Sequence, residues 1–308
     1  MPEPPTRHTA LAARQQRSRA ALAALAGFAA AGLTYYVFVL TAAGQRVDQT
    51  AHDGSEFGRG RLTQLARPVL EVVSVGFIVA VLAATITVAF LRRRWRLTLQ
   101  VAIVLGGANL ATQILKKVLL PRPDLGVRGE FGIPADNSLP SGHTTVAAAA
   151  MIAVLLVVPR RMRGAVAIGG VAYVAATGVS TLIGGWHRPS DVVAAVFLTF
   201  AVGALAIALV PEPQPVWSGE MARDGVGERG PAAALALGAA LAGLASAWAL
   251  VSTWSSVAGD VGFDTAAERA ELGRTVLLTA YAGGALAVIA ATCACAAFLL
   301  LLLPRGER

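Results

Sequence analysis

The sequence predicts an all-α protein, a polytopic membrane bundle of six core helices plus two C-terminal transmembrane helices. Three observations carry this. Of 308 residues, 56% are hydrophobic and 14% charged, at a mean hydropathy of +0.63. A soluble domain averages about 25% charged residues, so lipid must solvate much of this surface. Eight apolar stretches approach the roughly 20 residues that a helical span needs. Arginine clusters recur at every second boundary between them.

The first stretch, 20–43, is longer than a signal-peptide core and reads as an uncleaved anchor. The others are 68–91, 97–119, 141–158, 165–183, 192–210, 232–251 and 276–303. Arg7, Arg14, Arg17 and Arg19 precede the first; Arg92, Arg93, Arg94 and Arg96 follow the second; Arg160, Arg161 and Arg163 follow the fourth. If spans alternate, these clusters share one side, and the positive-inside rule makes it cytoplasmic. Both termini then lie inside, in a cell (plasma) membrane. The same clusters account for the net charge of +8, and the pattern argues against nucleic-acid binding.

Residues 1–19 read as a basic cytoplasmic tail and 20–210 as the six-span core. Residues 211–231, rich in Pro, Gly and charge, read as a cytoplasmic linker, and 232–308 as a two-span appendix. No internal repeat supports an inverted-repeat transporter. Cys293 and Cys295 fall on different faces of the last span and read as small packing residues. Gly238 with Ala242, and Gly283 with Ala287, suit close helix packing.

Alternation puts 44–67, 116–140 and 186–191 together on the outer side. Asn109, Thr112, Gln113 and Lys116 recur at helical spacing, and a polar stripe in an apolar span should face the bundle interior. It leads to Arg122-Pro123. Lys117 reads as an interfacial anchor. Pro140-Ser141-Gly142-His143 opens the fourth stretch. There Ser141 can cap the helix, Gly142 admits a ligand to the backbone, and free amides with the helix dipole favour an anion. His187-Arg188-Pro189-Ser190-Asp191 opens the sixth. Its His and Asp, four apart, can touch, so that the carboxylate orients an imidazole nucleophile. No third ligand of suitable kind supports a metal site. Asp48, His52 and Asp53 read as parts of a solvated loop, and Glu71 as an interfacial residue. Trp95, Trp186, Trp217 and Trp254 read as belt residues near span ends.

These motifs, spanning 116–191, resemble those of the type 2 phosphatidic acid phosphatase superfamily: Lys, six residues, Arg-Pro; Pro-Ser-Gly-His; then Ser-Arg, five residues, His, three residues, Asp. The resemblance implies a metal-independent hydrolase without cofactors. His187 would form a phosphohistidine, Asp191 would orient it, and His143 would protonate the leaving oxygen. Lys116, Arg122, Ser141 and the Gly142 amide would bind the phosphoryl oxygens. Two positions depart from the pattern. Leu115 holds the nominal lysine slot, with Lys116 one residue later, and Thr181 replaces the third motif's arginine. Arg188 or Arg128 is expected to fill that gap in the phosphate clamp. The expected substrate is a lipid phosphate or diphosphate monoester drawn from the bilayer: a polyprenyl diphosphate, phosphatidic acid or phosphatidylglycerol phosphate. The site would face away from the cytoplasm. The alternative is a catalytically weak lipid-phosphate binder or envelope-complex subunit.

Overall fold

A computed structural model describes residues 7–57, 95–129, 137–211, 229–259 and 264–303, with isolated positions between 64 and 87. The helices are α1 (Arg7–Val39), α2 (Ala42–Gly54), α3 (Trp95–Leu119), α4 (Gly142–Val157), α5 (Arg160–Ile183), α6 (Pro189–Leu209), α7 (Arg229–Val257), α8 (Ala266–Ala270) and α9 (Gly273–Leu302). The chain is an all-α helical bundle. Six of these helices are long and apolar enough to cross a membrane: α1, α3, α5, α6, α7 and α9. The sixteen-residue α4 is a shorter apolar helix. A multi-pass membrane protein follows from these spans. The second predicted span, with Glu71, and most of the predicted linker, with Trp217, lie outside the described residues.

The bundle is built around α6, whose apolar window is 72% buried inside the protein, against 22% for α1 and α7. Ala, Val and Leu from α3, α4, α5 and α9 close on it, with Leu155, Phe200, Leu299 and Leu300 in one core. Several hydroxyls in the apolar layers satisfy themselves locally. Thr34, Thr199, Thr253 and Thr292 each donate to the carbonyl four residues back, which avoids the cost of an unpaired polar group in hydrocarbon.

The final two helices are continuous with this core. Cys293 and Cys295 are free and buried in it, packed as small apolar groups. Gly283 faces Ala249 of α7 at a distance no side chain could share. A Cβ on Gly284 would lie 2.4 Å from the ring of Pro189, at the start of α6. So α9 touches the start of α6, the helix that carries the Asp of the third motif, with its His just ahead of the first turn.

The bundle has two chemically distinct ends. At one, Arg17 donates to the Ala208 carbonyl and Arg96 to the Pro211 carbonyl, and Gln100 bonds the Val210 carbonyl. Arg160 opens α5 at this end, and α5 finishes at Ile183 beside the other. That other end gathers the start of α4, the start of α6 and the short helix α2.

The sequence reading of Asp48, His52 and Asp53 as parts of a solvated loop is overturned, because all three belong to the helix α2 (Ala42–Gly54). This helix is capped by the Thr41 hydroxyl accepting from the Gly44 amide. Nine of its thirteen residues are buried, among them Gln45, Arg46, Asp48 and Gln49. The physical reason is packing. Gly54 lies so close to α9 that a Cβ would sit 2.1 Å from the Leu277 carbonyl, and the polar groups pair with neighbours instead of water.

Candidate active site

The start of α6 is built by Asp191. Pro189 occupies the first helical turn, where its missing N–H costs nothing. Asp191, two residues on, reaches back so that its Oδ2 accepts from the Arg188 amide at 2.9 Å. The same oxygen accepts from the Ser138 hydroxyl at 2.5 Å and meets His187 Nδ1 at 3.2 Å. A carboxylate oxygen only accepts, so Nδ1 is the donor in this contact and Nε2 is left free of it. Asp191 is fully buried and His187 nearly so. Asp191 Oδ1 has no hydrogen-bond partner among the described residues.

The start of α4 faces it. Ser141 caps the helix, its Oγ accepting from the Thr144 amide and hydroxyl. The Ser141 amide donates to the Asp191 carbonyl at 2.9 Å, which ties the two helix starts together. Gly142 has open space where a Cβ would stand, so a ligand can approach its backbone. His143, half-buried, stacks against Trp186 with ring centroids 5.6 Å apart. It lies within electrostatic reach of both His187 and Lys116. Trp186 is 55% exposed, as a belt residue should be, and also forms one wall of the site.

Lys116 and Arg122 come from the end of α3. The predicted polar stripe is only partly turned inward: Thr112 is buried and pairs with Thr145 at 3.0 Å, whereas Gln113 is exposed. Asn109, Thr112 and Gln113 share one α-helical segment, Ala108–Ile114, which is flanked by two π-helical stretches, Ile103–Gly107 and Leu115–Leu119. A π-turn is wider than an α-turn and shifts every later side chain around the axis. The second stretch contains both lysines. Lys116 is half-buried and feels the charge of Asp191, whereas Lys117 is exposed, as expected for an anchor. The one-residue departure in spacing therefore falls where the helix is locally rewound. Asn137 secures the join, its Nδ2 donating to the Lys116, Leu120 and Leu139 carbonyls. Arg122 forms no hydrogen bond or ion pair among the described residues. Burial, with the Arg188 guanidinium alongside, holds it below the usual arginine range; Asp48 and Asp191 oppose this.

Arg188 is buried, its Nε donating to Gln49 Oε1 at 2.8 Å and its Nη1 to the Ser138 hydroxyl at 3.2 Å. Asp48 receives the Ser190 amide and hydroxyl. Burial, then the charge of Asp191, push the Asp48 carboxyl up to about 6. Thr181 is fully buried and bonds the Gly178 carbonyl within its own helix, so it offers a ligand nothing. Of the two arginines expected to replace the missing cation, Arg128 is drawn off by Asp124 at 2.6 Å, and Arg188 stands in the cluster.

Sequence reasoning missed Asn137, Ser138, Asp48 and Gln49. A signal existed for the last two. Gln45, Asp48, Gln49 and His52 have the same helical spacing as the α3 stripe. Beneath Asp48 and Ser190 lies a mostly apolar cavity of about 160 Å³, walled by Phe38, Val193, Leu250 and Ala287.

All three motifs therefore meet at one end of the bundle. Two imidazoles, a lysine and two arginines surround a space beside two helix N-termini, an arrangement suited to a phosphate ester. No curated protein and no solved structure gives a match. Residues 97–214 match the family model of the PAP2 superfamily, the family that the three motifs resemble.

Proposed function

We propose that the protein is an integral membrane lipid phosphatase working through a phosphohistidine at the extracytoplasmic face. The observation that carries this is the His187–Asp191 contact, at 3.2 Å, beside two cations, Lys116 and Arg122, whose side chains have no partner among the described residues. In the first step, His187 Nε2 bonds to phosphorus while the bond to the leaving oxygen breaks. His143 donates a proton to that oxygen. In the second step, water attacks the phosphohistidine, His143 takes its proton, and His187 is released with inorganic phosphate. Lys116, Arg122, Arg188 and the Gly142 amide hold the equatorial oxygens, where charge spreads in the transition state. The Ser141 hydroxyl proton, uncommitted by its two acceptor contacts, is available to the same oxygens. The reaction draws on no metal.

Polyprenyl diphosphate, phosphatidic acid and phosphatidylglycerol phosphate all fit this chemistry. The apolar cavity beneath Ser190 offers space for the first carbons of a tail. The basic clusters at the opposite end support a cytoplasmic location for both termini, in a cell membrane, with the site outside. One test serves for chemistry and substrate: a panel of these lipids in detergent with chelator present, comparing wild type with His187→Ala. Chelator-resistant turnover and a trapped labelled phosphoprotein, both lost in the variant, are expected. Lipid binding without phosphoprotein on any substrate would favour the second reading, a weak lipid-phosphate binder or envelope-complex subunit. Thr181 is the observation behind it.

A further inference from the structure

Arg188 stands at one end of a continuous chain of hydrogen bonds. Its Nε donates to Gln49 Oε1 at 2.8 Å, and Gln49 Nε2 donates to Asp53 Oδ1 at 2.8 Å. Asp53 Oδ2 accepts from Arg269 Nε at 2.7 Å. Arg269, on α8, is fully buried, and its guanidinium also bonds the Asp264 and Arg128 carbonyls. A parallel tie joins Arg46 to the Asp264 carboxylate at 2.8 Å and to the Gly259 carbonyl at 2.7 Å. Each link in this path is a direct hydrogen bond between side chains, and the path runs from the region joining α7 to α9 into the phosphate cluster.

We propose that Gln49, Asp53 and Arg269 form a positioning relay, through which the C-terminal region sets Arg188 against the substrate's phosphoryl oxygens. It rests on the phosphatase reading above. An arginine recognises phosphate through a planar fork, so a small rotation about its stem costs both bonds at once. With Thr181 unable to contribute, the clamp depends on Arg188 being held at the right angle. Gln49 grips the inner edge of the guanidinium and Ser138 one terminal nitrogen. The remaining terminal nitrogen has no partner among the described residues and lies in the field of Arg122. Gln49 is itself fixed by a carboxylate locked to a buried arginine. In this arrangement α7, α8 and α9 are part of the phosphate site, acting through α2.

The experiment is a double-mutant cycle on the full chain in detergent, using inorganic phosphate as the binding probe and lipid turnover as the second readout. Gln49→Ala is expected to weaken phosphate binding and kcat/KM by about 10–100-fold, the range for residues that orient a direct ligand. In an Arg188→Ala background it should cost nothing more, because Gln49 acts only through that side chain. Asp53→Asn, which keeps the shape of the side chain, should give a smaller loss that also vanishes in the Arg188→Ala background. It carries the cycle if Gln49→Ala fails to fold. Additive losses in either cycle would overturn the relay and leave α2 a structural element. If wild type neither binds phosphate nor turns lipid over, it is the phosphatase reading that fails.

Discussion

The polar side chains of α2 are mostly buried and held by protein partners, whereas the cations Lys116 and Arg122 of the site beside it are half-buried and left open. In α2, Gln45, Arg46, Asp48, Gln49 and Asp53 all have partners. Across Arg188, Lys116 and Arg122 have none among the described residues, and His187 is bonded through one nitrogen only. A buried polar group normally finds a partner. A satisfied cluster is a scaffold that fixes geometry. On the proposed function, the unpaired cations are held open for a counter-charge, which the substrate's phosphate supplies. Arg188 belongs to both and connects them.

This contrast can be broken by experiment. The largest effect is expected from His187→Ala, which removes the proposed nucleophile. Turnover should fall on the order of 10⁶-fold, as when a covalent nucleophile is deleted, with no labelled phosphoprotein and little change in Tm. Residual turnover close to wild type would end the covalent mechanism.

Next come the unpaired cations. Lys116→Ala or Arg122→Ala should each lower kcat by about 10²–10³-fold, the cost of one transition-state donor. Neither should lower Tm, and Arg122→Ala should raise it slightly by removing repulsion from Arg188. A marked fall in Tm would mean these cations are structural.

Asp48 tests the scaffold through pH. Its carboxyl is pushed up to about 6 by burial and by Asp191, while Arg188 and Arg122 pull the other way. The folded protein then holds this proton more tightly than the unfolded chain, whose carboxyl titrates near about 4. The resulting stability is complete below about pH 4 and is lost as pH rises through about 6, up to about 3 kcal/mol. Asp48→Asn can still accept from the Ser190 amide. It should flatten the fall in Tm between pH 4.5 and 7 and gain on wild type at pH 7. Parallel curves for the two proteins would show that Asp48 is not the titrating group.

The smallest effect tests the link from α9 to the site. Gly284→Val would drive a side chain into Pro189, costing about 1–3 kcal/mol as overpacking, with lower turnover from a displaced α6 start. Gly32→Val, where nothing lies within 4 Å of the added carbon, is the control expected to change neither. Equal behaviour of the two would separate α9 from the site.

Much of the site was legible in the chain itself. His143 and His187 are two of only four histidines, each beside Gly, Pro or Ser at the mouth of an apolar run. Polar residues stand out against such a background. The polar helix α2 did not, because the same stripe in a hydrophilic stretch looks like any solvated segment. Only its burial under α9 distinguishes it. The inward turn of Gln113, expected from its helical spacing, failed although Asn109, Thr112 and Gln113 share one α-helical segment: the face that neighbouring helices cover takes in Thr112 and stops short of Gln113, and a sequence carries no mark of how wide that face is.

Composition, span length and arginine placement by themselves determined an all-α membrane bundle, since the cost of burying charge in lipid leaves few alternatives. Motif order by itself determined which residues carry the proposed chemistry. Tertiary structure alone decided which arginine joins Lys116 and Arg122, which lysine turns inward, and that the C-terminal helices reach the site. Those outcomes depend on hydrogen bonds between residues more than 100 positions apart, such as Gln49 with Arg188 and Asp53 with Arg269. Local propensity holds no record of such pairings. Packing selects them.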